Sequence, residues 1–329
     1  MKAFKIYKHG GPEVLQLEDV NIPKIQANEV LVKNTYLGVN FVDTQHRAGH
    51  PYPIDLPLIP GIEAVGTIEQ VGSEVTGFEP GQRVGYAGYM GGNYAEFTPV
   101  DANALISIPN EITDEQAAAS LLQGMTAHCL TENAYQVRKG DSVLIHGGAG
   151  GVGHFLIQMC KHKGAQVFTT VSSDQKADLV EQLEADHIIN YKIEDFELAI
   201  RKQATDGLEV VYDSVGKATF DKGLNLLKAK GHMVIFGLSS GPIDPFNINR
   251  LSGITGAKSK GSLFLTWATL SDYNANVEEM RNRAKKLFDW MKEGKVKPHI
   301  HATLPFENAP KAHELLESRK VLGKVLLKV

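Results

Sequence analysis

Gly148, Gly150 and Gly153 stand in the spacing G-x-G-x-x-G within the stretch Asp141-Ser142-Val143-Leu144-Ile145-His146-Gly147-Gly148-Ala149-Gly150-Gly151-Val152-Gly153-His154. Glycines so spaced bring backbone N–H groups up to a phosphate. The first permits a tight turn, the second keeps a side chain out of the path of a pyrophosphate, and the third lets a helix lie close on a strand. A helix beginning at Gly151-Val152-Gly153 would turn its partial positive charge toward the anion. In a chain with 32 glycines this pattern by itself also fits a plain glycine-rich turn.

The elements on either side decide between the two. Val143 to Ile145 is short, apolar and rich in β-branched residues, as in a buried parallel strand. Phe155, Leu156, Met159 and Cys160 then recur at helical spacing as far as Gly164-Ala165, and an apolar strand over 166–171 follows at once. Strand, glycine turn, helix, strand is the setting a dinucleotide site requires. The end of the second strand indicates which dinucleotide. Ser172 stands where an acidic residue would bind the ribose 2′-hydroxyl of NAD, and Ser172, Ser173 and Lys176 could hold a 2′-phosphate, which favours NADP. Asp174 is expected to cap the helix through Leu179 and Leu183 rather than to reach the ribose.

Around this centre the 329-residue chain has two characters. Residues 1 to about 110 carry short extended runs (3–7, 14–20, 29–37, 64–71, 83–87, 94–98, 104–108) punctuated by Gly, Pro and Asn, as in an antiparallel barrel. From Glu115 helices and strands alternate. Helices over 116–122 and 126–131 precede the fingerprint strand, and further strands are expected over 188–190, 210–214 and 232–237, with a sixth over 258–265, as in a doubly wound parallel sheet. Val277, Met280, Ala284, Leu287, Phe288 and Met291 form one face of a long helix stopped by Gly294. A shorter helix over 309–318 and a strand over 324–329 follow.

Composition bounds the rest. Hydrophobic residues make up 43% and charged residues 22%, ordinary for a globular protein, and a net charge of −4 argues against nucleic acid or an anionic membrane as partner. No apolar run is long enough for a membrane span and Met1-Lys2-Ala3-Phe4-Lys5 is no signal peptide, so a cytoplasmic protein is expected. Cys129 and Cys160 are too few for a disulfide framework or a four-thiolate zinc site. There is no C-x-x-C, H-E-x-x-H or G-x-S-x-G, and His46, His50, His128, His146 and His154 read as surface or core residues. Chemistry is then left to a cofactor. Ligands of a doubly wound sheet bind beyond the carboxyl ends of its strands. The candidates there are Gly148 to Gly153, Ser172, Ser173, Tyr191, Ser214-Val215-Gly216 and Phe236-Gly237-Leu238-Ser239, although Gly216 and Gly237 also suit simple turns and Asp213 a helix cap.

Six segments together, His9-Gly10-Gly11-Pro12-Glu13-Val14-Leu15, Gly38-Val39-Asn40-Phe41-Val42-Asp43, Gly61-Ile62-Glu63-Ala64-Val65-Gly66, Gln116-Ala117-Ala118-Ala119, the glycine motif and Tyr212-Asp213-Ser214-Val215-Gly216, resemble the zeta-crystallin-like quinone oxidoreductases of the medium-chain dehydrogenase/reductase superfamily. The resemblance runs nearly end to end. It implies an α/β fold in which a Rossmann domain (123–263) is inserted in a GroES-like β-barrel domain (1–122 and 264–329), with NADPH in a cleft, a homodimer through the Rossmann domain, and a quinone or conjugated carbonyl as substrate. Ile62 replaces the histidine of zinc-dependent relatives, which implies no metal.

The resemblance further implies that Asn40 and Asp43, with Gln45 nearby, line the nicotinamide and substrate side. Ser172, Lys176 and Tyr191 should surround the 2′-phosphate, and Ser214, Phe236, Leu238, Ser239 and the region of Phe264 should follow the rest of the cofactor, with Arg319 a further candidate. Gln45 and His128 depart from the tyrosines of many relatives. In this reading hydride passes from NADPH to a flat acceptor, Asn40 donates a hydrogen bond to its carbonyl and Asp43 orients Asn40 or a water. A plainer account makes Asn40 and Asp43 turn residues of a loop. The rival functions are an enal or enone reductase and an NADPH-binding structural or RNA-binding protein.

Overall fold

The computed structural model describes residues 1–88, 92–252 and 261–329. They divide into two units, one of Met1–Met125, Ala275–Glu293 and Pro298–Val329, the other of Thr126–Asn274 and Gly294–Lys297.

Strands β1 (Lys2–Lys5) and β2 (Gln16–Asp19) pair antiparallel with each other. The long strand β3 (Glu29–Val39) runs into helix α1 (Phe41–Ala48), and β4 (Glu63–Val71), β5 (Arg83–Ala87), β6 (Phe97–Asp101), β7 (Ile106–Ser107) and helices α2 (Asp114–Ala118) and α3 (Leu121–Cys129) follow. The parallel-sheet unit alternates β8 (Ser142–His146), α4 (Gly151–His162), β9 (Gln166–Val171), α5 (Asp174–Gln182), β10 (His187–Asn190), α6 (Phe196–Gln203), β11 (Leu208–Asp213), α7 (Phe220–Leu226), β12 (Leu227–Ile235) and β13 (Phe264–Trp267), closing with α8 (Leu270–Tyr273). The chain then completes the first unit with α9 (Val277–Lys292), β14 (Ile300–Pro305), α10 (Ala309–Glu317) and β15 (Lys324–Lys328).

The first unit's main sheet has the order β14-β15-β3-β4-β5-β7, with β6 also on β3. Its pairs are antiparallel except β14 with β15, which are parallel because α10 carries the chain back between them. Phe4, Val30, Val32, Leu37, Ala64, Val84 and Leu327 meet in its core. The second unit's sheet is parallel throughout in the order β10-β9-β8-β11-β12-β13, the doubly wound arrangement, with the strand order reversing beside β8. Leu144, Phe168, Val211 and Met233 lie in its core.

Two expectations are corrected here. Among the described residues the sixth parallel strand begins at Phe264, with 261–263 outside it; Lys258, where it was expected to begin, lies outside the described residues. Because β13 pairs with β12, residues 264–274 belong with the parallel sheet and not with the barrel unit.

Candidate active site

The glycine turn closes on itself. Gly147, missed from the sequence because it precedes the motif, makes the tight turn at φ +68°, and its N–H donates to Thr170 Oγ1 at 3.2 Å. Gly148 is the second residue of that turn, which Gly150 N closes on Gly147 O at 2.9 Å, and it also packs on β9, since a Cβ there would lie 2.0 Å from Thr169 Oγ1. A Cβ on Gly153 would lie 2.3 Å from Gly147 O, so the third glycine seats α4 against the turn. A Cβ on Gly150 would meet nothing nearer than Gly147 O at 3.1 Å. A methyl group there would press on that carbonyl by a few tenths of an ångström, far less than at Gly148 or Gly153, and would stand in the path of an approaching ligand. The first helical bond runs from His154 N to Gly150 O, leaving the amides of Gly151, Val152 and Gly153 as first-turn donors.

Other predicted residues gather at the same carboxyl edge. Ser173, and not Asp174, caps α5, its Oγ accepting from Lys176 N at 3.4 Å; Asp174 is the helix's exposed first residue. Tyr191, 46% exposed, follows β10 with its N–H on Val171 O at 3.1 Å, beside Ser172. Asp213 caps no helix: its Oδ1 accepts from Val215 N at 2.7 Å and Gly216 N at 3.0 Å, and Thr219 Oγ1 donates to the same carboxylate. The turn so held is laced to the next, Ser239 N donating to Ser214 O at 3.1 Å and Phe236 N to Asp213 O at 2.9 Å, and a Cβ on Gly237 would sit 3.0 Å from Ser214 O. Leu238 lies between them.

Phe264 is a correction. It pairs with His232, stacks on that ring at 4.4 Å and lies three residues before Trp267, which reaches the carboxyl edge opposite Ile235. Arg319 belongs to the other unit, just past α10, at φ +60°.

In the first unit Asn40 and Asp43 are neither loop residues nor free side chains. They form the capping box of α1, Asn40 N donating to Asp43 Oδ2 at 2.8 Å. Asn40 is 4% exposed. Its Nδ2 donates to Gly38 O at 3.1 Å and Glu63 Oε2 at 3.0 Å, and its Oδ1 accepts from Lys324 Nζ at 2.7 Å. Lys324 Nζ and Glu63 Oε2 are 2.6 Å apart with both side chains wholly buried, and Leu122 N donates to Glu63 Oε1 at 2.7 Å. A Cβ on Gly38 would fall 2.1 Å from Glu63 Oε2, so glycine is required there.

On the far side of Asp43, Tyr94 OH reaches Oδ2 at 3.3 Å and His313 Nε2 at 3.1 Å, and Arg47 Nη1 reaches His313 Nδ1 at 3.2 Å. Arginine only donates, so His313 Nδ1 accepts, Nε2–H donates to Tyr94 and Tyr94 donates to Asp43. Burial and Arg47 lower His313 to about 3. Burial raises Asp43 to about 7, despite the bond from Asn40 and the charge of Lys324, and among the described residues its Oδ1 has no partner. Gln45, on α1, and His128, on α3, are partly buried. Glu63, Lys324, Tyr94, His313 and Arg47 were not found from the sequence. Glu63 lay within a quoted motif, whereas nothing local marks a lysine at the head of an apolar C-terminal strand.

Residues 26–110 match the family described as alcohol dehydrogenase GroES-like domain, and residues 151–281 the one described as zinc-binding dehydrogenase. A quinone oxidoreductase of Pseudomonas aeruginosa is 38% identical over 99% of both chains, and a 2-haloacrylate reductase of Burkholderia 37% identical over 99% of this chain and 98% of its own. The chain belongs to the quinone oxidoreductase family. The crystal structure of the Escherichia coli quinone oxidoreductase complexed with NADPH has 36% identity and a TM-score of 0.95, covering all of both chains.

Zinc, which the second family description implies, does not suit these residues. Ile62 follows Gly61, the carboxylate of Glu63 is already matched by a buried ammonium, and among the described residues no three ligating side chains converge. A pyridine dinucleotide does suit the bare Gly150 position and the donors beside it.

Gly150→Ala is expected to lower the melting temperature much less than Gly153→Ala yet to bind a pyridine dinucleotide roughly tenfold more weakly or worse, about 1.4 kcal/mol; thermal shift with and without dinucleotide reads the difference. Asp43 gives a pH signature. With its folded value raised to about 7 against about 4 in an unfolded chain, the folded form alone keeps the proton between them, so this group's contribution to stability declines as pH rises through that window and is level above it. The melting temperature of Asp43→Asn relative to wild type should therefore climb between pH 5 and 7 and flatten above pH 7.5.

Proposed function

We propose that this protein is an NADPH-dependent reductase of quinones and related conjugated acceptors, working without a metal. The observation that carries this is the carboxyl edge of the parallel sheet. A bare glycine position and three first-turn amides stand beside Ser172, Ser173, Lys176 and Tyr191, with no acid at the end of β9. The amides of Gly151, Val152 and Gly153 bind the pyrophosphate, and the hydroxyls and ammonium hold the 2′-phosphate. Ser214, Phe236, Gly237, Leu238 and Ser239 border the remaining length of the coenzyme. When bound, the nicotinamide supplies hydride, and a quinone accepts it without a Lewis acid; one proton from solvent or a polar side chain completes the two-electron reduction. Asn40 and Asp43 act on the reacting end by fixing the first turn of α1, near Gln45, and Arg319 is a further contact. The likeness to the 2-haloacrylate reductase favours an activated carbon–carbon double bond as the second acceptor class.

Among the described residues no helix is long and apolar enough to cross a membrane, and two buried free cysteines suit a reducing compartment, which supports action in the cytoplasm. A homodimer is supported by β13. Among the described residues it is an edge strand with one hydrogen-bonding side open, and Phe264 and Trp267 on it are 50% and 48% exposed.

Purified protein should consume NADPH with a benzoquinone, unaffected by EDTA, and assays with a 2-haloacrylate and a medium-chain enone rank the acceptor classes. Lys176→Ala should raise KM for NADPH roughly tenfold while leaving that for NADH within about twofold, as expected for one lost charge-assisted phosphate contact. Absence of any NADPH consumption, or loss with EDTA and recovery with zinc, would overturn the reading. Light scattering should give twice the mass of one chain, and Trp267→Glu should give the single-chain mass; an unchanged mass would remove β13 as the interface.

A further inference from the structure

His146, the last residue of β8, faces its partner Thr170 on β9, and both are buried. Two polar contacts converge on Thr170 Oγ1, from Gly147 N at 3.2 Å and His146 Nδ1 at 3.0 Å. The amide can only donate, so it takes a lone pair of the hydroxyl. The hydroxyl's own hydrogen needs an acceptor, and among the described residues His146 Nδ1 is the one in contact. The three groups form a directed chain, Gly147 N–H to Thr170 Oγ1 and Thr170 O–H to His146 Nδ1. That direction fixes His146 as a neutral ring with its proton on Nε2.

This tautomer is costly where it stands. Among the described residues Nε2 has no hydrogen-bond partner, and the ring of Phe196 lies edge-to-face at 4.9 Å. Burial holds His146 below the ordinary histidine range, with the carboxylate of Asp213 acting the other way. An apolar side chain would fill the place without an orphaned N–H, so histidine is explained by its other nitrogen.

What Nδ1 holds reaches the nucleotide edge. Gly147 opens the turn at φ +68°, its O accepts from Gly150 N at 2.9 Å, and a Cβ on Gly153 would lie 2.3 Å from that same oxygen. Thr170 O also receives Gly148 N at 3.3 Å. Two successive amides of the turn therefore end on one residue, whose hydroxyl is turned with a lone pair toward Gly147 because His146 takes its hydrogen.

We propose that His146 is a positioning residue for coenzyme binding: as a neutral acceptor for Thr170 O–H it sets the hydroxyl that holds Gly147, and through Gly147 the turn whose amides receive the pyrophosphate. This rests on the function proposed above. His146 acts through Thr170 and not on the ligand. A protonated ring would reverse the bond and leave the Thr170 hydrogen without an acceptor.

The test compares His146→Phe, His146→Asn, Thr170→Val and His146→Phe/Thr170→Val with wild type, the fold being read by circular dichroism and melting temperature. Affinity is measured for 2′-phospho-ADP-ribose, which carries the pyrophosphate, and for adenosine 2′-monophosphate, which keeps the 2′-phosphate and lacks the pyrophosphate. His146→Phe should weaken the first roughly fivefold to tenfold and leave the second within about twofold, as for loss of one hydrogen bond behind the turn. His146→Asn should recover most of the loss, because its Oδ1 stands as many bonds from the backbone as Nδ1. The double variant should match Thr170→Val alone within about twofold, since both changes cut one chain. With nitrogen-15-labelled histidine, the wild-type ring signals missing from His146→Asn should show a protonated Nε2 and a bare Nδ1 at neutral pH.

A folded His146→Phe that bound 2′-phospho-ADP-ribose like wild type would overturn the proposal. So would equal losses for both probes, multiplied losses in the double variant, or a proton on Nδ1. If His146→Phe fails to fold, Thr170→Val carries the same comparison of probes. A wild type that bound neither probe would sink the proposed function as well, whereas binding of both probes with no loss on changing His146 would sink this inference alone.

Discussion

The contact on which the first unit turns is the bond between Lys324 and Glu63, two charges 2.6 Å apart with no exposed surface. Neither could be buried alone, because an uncompensated charge in that interior costs several kcal/mol. Each is therefore retained only while the other is in place, and the strands that carry them, β15 and β4, are held to a common position on either side of β3. The same two side chains take up the amide of Asn40, so the start of α1 inherits its geometry from residues 23 and 284 positions away. Gly38 belongs to this set by what it lacks, since any side chain would occupy the place of the carboxylate.

The glycine turn of the second unit uses a different device, close approach of backbone. Gly148 against Thr169 and Gly153 against the carbonyl of Gly147 bring the turn, β9 and the first turn of α4 within van der Waals distance, which fixes the direction of the free amides. Asp213 does the equivalent for the turn after β11 through hydrogen bonds from two backbone amides and a threonine. Both loops are rigid because their polar groups are satisfied inside the protein, and what remains pointing outward is what a ligand can use.

Local pattern carried much of this. The fingerprint strand, its helix and the second strand were legible because apolar period and glycine spacing act within about thirty residues. The long helix α9 was legible for the same reason, with Met280, Ala284, Leu287 and Phe288 buried along one face. Helix α1 was not, because Phe41 to Ala48 is polar and short, and its capping box is visible only once Asp43 is seen to fold back on Asn40. Strand β14 escaped because every residue along it is partly buried except the exposed last, leaving no alternation to read. Most of the nucleotide edge could be reached by the rule that ligands sit beyond strand ends. Phe264 fell outside that rule because its strand starts later than the apolar run suggested. The pairing of Lys324 with Glu63 and of His313 with Tyr94 spans more than 200 residues, and no sequence period encodes such a partner.

The position of Lys324 along the chain also has a consequence for biosynthesis. Every residue of the parallel-sheet unit, up to Lys297, leaves the ribosome before the strand that carries this lysine. A nascent chain can therefore complete its nucleotide-holding half while Glu63 is still without its counter-ion and the cap of α1 is unset. A polypeptide cut short before β15 would have one finished half and one carrying an unneutralised interior carboxylate.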